Sequence, residues 1–224
     1  VAGFSLGEVA ALSFAGVFDF STGLSYTIFR ADAMDKCAIR NPGKMAAILK
    51  MESSEVIKVC ANYKDLWAVN FNCPGQTVVS GSEESVNSAM QEFTSMKCKA
   101  IALAVSGAFH SPFMEEASVK VYEYLQNHKT YLPQIPVYAN ISATPVLNGD
   151  LKQIMSKQIS SPVLWQQTIE NMISDGVKTF VEIGPGKVLS GLIKKINPDV
   201  QTLNVQDVKT FHDSMEGLKN KGVN

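Results

Sequence analysis

Ser5 lies between Gly3 and Gly7 in the stretch GFSLGE, and an apolar helical pattern, LGEVAALSFAG, follows at once. In a G-x-S-x-G turn that opens a helix, the serine hydroxyl is exposed and the next backbone N–H, here that of Leu6, is aimed at the same spot. That pairing suits nucleophilic attack on a carbonyl and stabilisation of the oxyanion that attack creates. Gly3 and Gly7 are read as the residues that leave room in the turn. A serine here can also act as a plain helix N-cap, and the local sequence leaves the two roles open.

An attacking serine needs a base, and the histidines are His110, His128 and His212. His128, in the polar LQNHKTY, and His212, near the C-terminal end, are expected in solvent. His110, in VSGAFHSPFM, falls between an apolar strand pattern and a helix pattern, in the kind of loop where active-site groups gather. Alone it would read as a structural histidine. With Ser5 in the same chain it is the candidate general base. Arg30 is the third residue of interest, because its neighbours at helical spacing, Tyr26, Thr27, Ala33 and Met34, include no acid. A guanidinium on this largely apolar stripe needs an anion from elsewhere, either a distant Asp or Glu or the carboxylate of a substrate.

These residues must be carried by a framework. STGLSYTIFRADAMDKCAI reads as a long helix with Ser21 as N-cap. From residue 44 the order is strand (KMAAILK), helix (SSEVIKVCANY, capped by Ser53 or Ser54), strand (LWAVNFN), strand (QTVVSGS), helix (EESVNSAMQEFTSM) and strand (CKAIALAV). This β-α-β-β-α-β succession is that of a ferredoxin-like unit. Next come a helix (PFMEEASVKVYEYLQNH), a strand (IPVYANIS), a helix ending at Gly176, a buried strand (KTFVEIG) and a helix (PGKVLSGLIKKI) with Pro185 near its first turn. Lys187, Lys194 and Lys195 of that helix are expected to face outward, and the polar tail after about Phe211 to fray. Strands alternating with helices on both sides of a small insert point to a parallel α/β core.

Composition narrows the chemistry. The 224 residues carry a net charge of −1, with no excess of basic residues to hold a phosphate backbone, so nucleic acid is not expected as a partner. No run approaches the about 20 apolar residues that span a bilayer, so no membrane association is expected. Cys37, Cys60, Cys73 and Cys98 form no CxxC pair and read as reduced, mostly buried thiols rather than metal ligands. The start reads as neither a signal nor a transit segment, and the expected location is the cytoplasm.

In GFSLGE, Arg30, VNFNCPGQTVVSG, GAFHSPFM, SPVLWQQTI and VEIGPGKVLSGLIKKI, taken in order, the whole chain resembles malonyl-CoA:acyl carrier protein transacylases. The resemblance implies an α/β-hydrolase-like large subdomain, residues 1–42 and 106–224, with an inserted ferredoxin-like small subdomain, residues 43–105. It implies Ser5 as nucleophile, His110 as base and acid, the Leu6 N–H as an oxyanion donor, and Arg30 as ligand of the malonyl carboxylate. It implies that a backbone carbonyl around Leu164 orients His110, and that Asn70, Asn72 and Gln76 line the substrate cleft, although these amides also suit a turn. The implied reaction moves a malonyl group from CoA to the phosphopantetheine thiol of acyl carrier protein in fatty-acid biosynthesis. It needs no metal or resident cofactor, and a monomer is expected.

Two departures stand out: the family's usual histidine before the nucleophile is Phe4 here, and no match exists for its glutamine-bearing Gly-rich loop N-terminal of the elbow. The chain therefore looks like a family member cut just before its nucleophile, and alone it is expected to be impaired. The acyltransferase domain of a polyketide synthase is one alternative, against which Phe109 argues by leaving little room for an α-methyl group. A plain serine hydrolase and a non-catalytic remnant that binds the carrier protein are the others.

Overall fold

A computed structural model describes residues 1–146 and 150–219. The chain divides into two compact units, Val1–Thr168 and Ile169–Asn224.

The first unit begins with α1 (Leu6–Phe14) and α2 (Phe20–Arg40). The cap of α2 is Asp19, whose carboxylate accepts the Thr22 N–H at 2.7 Å; Ser21, the expected cap, already lies inside the first turn. Helical spacing along α2 buries Tyr26, Arg30, Ala33, Met34 and Cys37 on one face, so the guanidinium is carried inward with the apolar stripe. That face meets Val17, Met114, Leu125, Met155 and Ile159 in the larger core.

Next come β1 (Lys44–Leu49), α3 (Ser53–Cys60), β2 (Leu66–Cys73), β3 (Gln76–Gly81), α4 (Glu83–Ser95) and β4 (Lys99–Ala102). The sheet order is β2-β3-β1-β4 with every neighbour antiparallel, the ferredoxin-like arrangement. Period-two alternation divides the strands between two cores. Ala46, Ile48 and Val79 face Val56, Val86, Ala89 and Phe93 of the helices, whereas Met45, Ala47, Val69 and Val78 pack with Trp67, Leu103 and Phe109. α3 has no side-chain cap; Ser53 belongs to its first turn, and its hydroxyl accepts from Thr77 instead.

A 3₁₀ turn (Pro112–Met114) leads into α5 (Glu115–Gln126), and α6 (Leu151–Lys157) runs into a second 3₁₀ turn (Gln158–Ser160). The stretch read as a strand over residues 135–142 forms only isolated bridges, Ala2 with Tyr138 and Tyr138 with Pro145. Its backbone folds back on itself, with Ala139 N–H donating to Thr144 and Val146 N–H to Val137.

α7 (Trp165–Ser174) ends ahead of Gly176, which takes a φ of 97°. In the second unit, β5 (Thr179–Ile183) pairs in parallel with β6 (Gln201–Val205), joined through α8 (Val188–Ile196). Pro185 lies in the bend before α8; the Glu182 carboxylate caps that helix by accepting the Leu189 and Ser190 N–H groups. Lys187, Lys194 and Lys195 are exposed as expected, and Lys194 also donates to the carbonyls of Pro198 and Val200 just past the helix end. Of the tail expected to fray after about Phe211, the part up to Lys219 belongs to α9 (Val208–Lys219), capped by Asp207 on the Thr210 N–H and braced by a Lys209–Asp213 pair, and residues 220–224 lie outside the described residues. Among the described residues no helix is long and apolar enough to cross a membrane. None of the four cysteines is in a disulfide, and Cys37, Cys60 and Cys73 are buried.

Candidate active site

The turn before α1 is strained where its hydroxyl sits. Ser5 has φ 48° and ψ −101°, a conformation that costs a non-glycine residue about 1–3 kcal/mol. Gly3 is what lets the chain pass, since a Cβ there would lie 1.9 Å from the Gly7 carbonyl oxygen. Gly7 itself needs no such room: a Cβ on it meets nothing within 4 Å, because it already lies on the open side of the first helical turn. Gly3→Ala is therefore expected to destabilise the protein by at least about 1–3 kcal/mol, read as a lowered thermal midpoint, while Gly7→Ala leaves it nearly unchanged.

Ser5 occupies the N-cap position but makes no side-chain capping bond. Its Oγ lies 2.8 Å from His110 Nε2. His110 stands in the loop after β4, itself at φ 60°, with its N–H donating to the Ile159 carbonyl. Its Nδ1 faces two carbonyl oxygens, those of Gln158 at 3.0 Å and Ser161 at 3.2 Å. Carbonyls only accept, so Nδ1 carries the ring proton and Nε2 offers its lone pair to the Ser5 hydroxyl. In the loop SPVLW around Leu164, from which an orienting carbonyl was expected, it is Ser161 that supplies one; the Leu164 carbonyl itself accepts from the N–H and hydroxyl of Thr168 in the first turn of α7.

Burial drives His110 down to about 4, the positive charge of Arg30 pushes the same way, and the two carbonyls oppose. The imidazole is thus neutral above that value, with the Nε2 lone pair available to the Ser5 hydroxyl. Acylation of Ser5 is expected to keep its rate as pH falls through the ordinary histidine range and to lose it only near pH 4. Rapid-quench measurement of the acylation rate across pH checks this; an acid limb near 6.5 would contradict it.

Arg30 reaches the same hydroxyl from α2. Its Nη2 donates to Ser5 Oγ at 3.0 Å and to Gln158 Oε1 at 3.0 Å. The side chain is buried, its Nε has no partner, and no carboxylate among the described residues lies within ion-pair distance of it. Ser5 Oγ thus sits between a base that can take its proton and a cation that favours the resulting negative charge. Leu6 is the first residue of α1, where a backbone N–H has no acceptor within the helix.

Three residues of the site went unrecognised in the sequence. Asn140, fully buried, accepts the Ser5 N–H on Oδ1 at 2.7 Å and donates from Nδ2 to the Gly3 carbonyl at 2.7 Å. Gln158 donates from Nε2 to the Ser5 carbonyl at 2.8 Å. Glu8, in the first turn of α1, accepts the Asn140 N–H at 2.6 Å; burial pushes its carboxyl up to about 7, against the pull of that bond and of Arg30. Glu8 could have been suspected from its place in GFSLGE, but nothing local marks Asn140 in VYANIS or Gln158 in SKQISSP.

Among the described residues, the hydrogen bonds of Ser5, His110 and Arg30 do not run to Asn70, Asn72 or Gln76. Asn70 and Asn72 are buried on β2 with their Oδ1 atoms unpartnered, and Gln76 is the first residue of β3, accepting from the Cys73 thiol. β2 is nevertheless stitched to the loop that holds His110: Phe71 N–H donates to Val163, and Val163 N–H to Val69. Phe4 packs edge-on against Trp165, with ring centroids 5.6 Å apart.

The description "acyl transferase domain" fits residues 1–211, nearly the whole chain. The chain belongs to the acyl transferase domain family. Within this family it is 37% identical over its full length to the malonyl CoA-acyl carrier protein transacylase of Bacillus subtilis, spanning 72% of that protein. It is 36% identical to the protein of the same name from Haemophilus influenzae, over 97% of this chain and 72% of the relative. Among solved structures, the malonyl CoA-acyl carrier protein transacylase of Clostridium perfringens superposes with a TM-score of 0.95 at 33% identity, covering 99% of this chain and 72% of that one. A malonyl-transacylase in complex with a type II polyketide acyl-carrier protein gives 0.91 at 30% identity, over 96% and 72%. This acyl transferase fold, an α/β-hydrolase-like part with a ferredoxin-like one, is the architecture expected from the sequence.

Proposed function

We propose that this acyl transferase moves a malonyl group from CoA to the phosphopantetheine thiol of an acyl carrier protein through an ester on Ser5. The observation that carries the reading is Arg30: a buried guanidinium with no carboxylate partner among the described residues, donating to the same oxygen that His110 can deprotonate. A buried cation left unpaired is costly, and a dicarboxylic acyl group supplies the missing charge. A plain hydrolase for neutral esters has no use for it.

In the first half-reaction Ser5 gives its proton to His110 Nε2 while Oγ attacks the malonyl thioester carbonyl. The Leu6 N–H stabilises the oxyanion. The C–S bond then breaks and the CoA thiol leaves with the proton from His110. In the second half the carrier thiol gives its proton to His110 and attacks the ester, and Ser5 Oγ departs and regains that proton. Each step uses a side chain or a substrate thiol, so the reaction calls for no metal or resident cofactor. Arg30 holds the malonyl carboxylate in both halves. We place the enzyme, as a monomer, in the cytoplasm, where the thioester donor and the carrier thiol serve fatty-acid synthesis. Asn70, Asn72 and Gln76 are assigned to the wall of the cleft on the side that β2 contributes.

Incubation with malonyl-CoA followed by intact-mass and peptide analysis tests the assignment. One malonyl adduct on Ser5, discharged by a carrier protein bearing phosphopantetheine, is the expected result; an adduct elsewhere, or none, contradicts it.

A further inference from the structure

Ser5 cannot hold its φ of 48° by local preference, and its hydroxyl makes no capping bond that would fix it. What fixes it is contact with its own peptide groups. Asn140 Oδ1 takes the Ser5 N–H, Asn140 Nδ2 reaches over to the Gly3 carbonyl, and Gln158 Nε2 takes the Ser5 carbonyl. Asn140 is in turn anchored on both sides of its own backbone, by Glu8 on its N–H and by the Leu164 N–H on its carbonyl. It has no exposed surface, so water cannot replace any of these bonds.

We propose that Asn140 is a positioning residue for Ser5, clasping the elbow at the Gly3 carbonyl and the Ser5 N–H, on the N-terminal side of the nucleophile, so that Oγ is held at His110 and Arg30. The inference rests on the reading of Ser5 as nucleophile. It has a corollary for the oxyanion: the Ser5 N–H is already spent on Asn140, which leaves the Leu6 N–H as the donor of the elbow. The amide is matched to the task because it offers one acceptor and one donor at once. A neutral Asp can do the same with a carbonyl and an O–H, whereas an ionised Asp can only accept and would face the Gly3 carbonyl with charge.

The test uses the whole chain and a fluorophosphonate probe, which phosphonylates an activated serine whatever acyl group the enzyme prefers. Asn140→Ala is expected to slow labelling of Ser5 by about tenfold to a hundredfold, the scale of loss from misplacing a reacting group by about 1 Å. Asn140→Asp is the variant that keeps shape, and its rate is divided by that of the wild type at each pH. The charged groups around this point, Glu8 on α1, Arg30 on α2 and His110 in its loop, are present in both proteins, so the ratio removes what they do alike and leaves the charge of residue 140 with its coupling to them. It is expected to rise severalfold from about pH 8 to about pH 5.5 as the buried acid becomes neutral. Equal labelling of Asn140→Ala and wild type overturns the inference, and so does a pH-independent Asn140→Asp ratio, which would mean that packing alone was lost. A wild-type protein that labels no faster than Ser5→Ala overturns the nucleophile reading itself, and this inference with it.

Discussion

Ser5→Ala abolishes acyl transfer, with kcat expected to fall by about a million-fold, the loss seen when the nucleophile is removed from a serine enzyme whose groups act as a unit. The size follows from how the hydroxyl is used. Oγ is the one atom that both His110 Nε2 and Arg30 Nη2 address, at 2.8 and 3.0 Å, so no neighbouring oxygen can stand in for it. His110→Ala should cost nearly as much, and the double variant little more than either alone, because a base without its nucleophile has nothing to deprotonate. The fold should hardly notice Ser5→Ala: the hydroxyl caps nothing, and the bonds to the Ser5 N–H and carbonyl come from Asn140 and Gln158, which remain. The check is steady-state transfer beside a thermal melt. An unchanged melt with no malonyl adduct is the expected pair of results; residual transfer within tenfold of the wild type would move the nucleophile elsewhere.

Much of this site was legible because its signals are local. The G-x-S-x-G spacing, the immediate helix and the absence of acid around Arg30 are all properties of residues close in sequence, and period-two alternation marked the strands of the small sheet. What was not legible depends on contacts between distant segments. Asn140 meets Ser5 and Gln158 meets Arg30 only because the chain returns more than a hundred residues later. A single buried amide leaves no periodic trace. The carbonyls that orient His110 come from Gln158 and Ser161, and since any residue has a carbonyl, no residue type could have singled them out over Leu164. Asp19 displaced Ser21 as a cap for a subtler reason: both are good caps two positions apart, and the choice is set by where the chain leaves the turn after Phe18. The strand expected at residues 135–142 had the right composition, but a strand needs a continuous partner and Tyr138 finds only single bridges.

Arg30→Ala should convert a selective transferase into an unselective one. Truncating one partner of a buried charge pair costs about 2–5 kcal/mol, which is about thirtyfold to several thousandfold in kcat/KM for malonyl-CoA at 1.36 kcal/mol per factor of ten. Acetyl-CoA has no carboxylate to lose a partner, and the cavity without the guanidinium no longer holds an unpaired charge beside it, so its transfer should be spared or improved. The contact of Nη2 with Ser5 Oγ complicates the absolute rates, because its loss affects every acyl group alike. The ratio of the two kcat/KM values removes that shared factor and reports the carboxylate alone. Arg30→Lys supplies a second point: it keeps the charge but not the planar fork, and should recover part of the malonyl preference without restoring it. Two residues next to the guanidinium sharpen the expectation. Gln158 occupies Nη2 but is neutral; burial lowers the affinity of Arg30 for its proton, and Glu8, which opposes that shift, stands beyond ion-pair distance. Neither can neutralise the cation as a bound malonyl carboxylate would, and the unfilled Nε is a donor that such a carboxylate can take. If malonyl-CoA and acetyl-CoA lose rate equally in Arg30→Ala, the guanidinium serves Ser5 alone and the carboxylate is bound elsewhere.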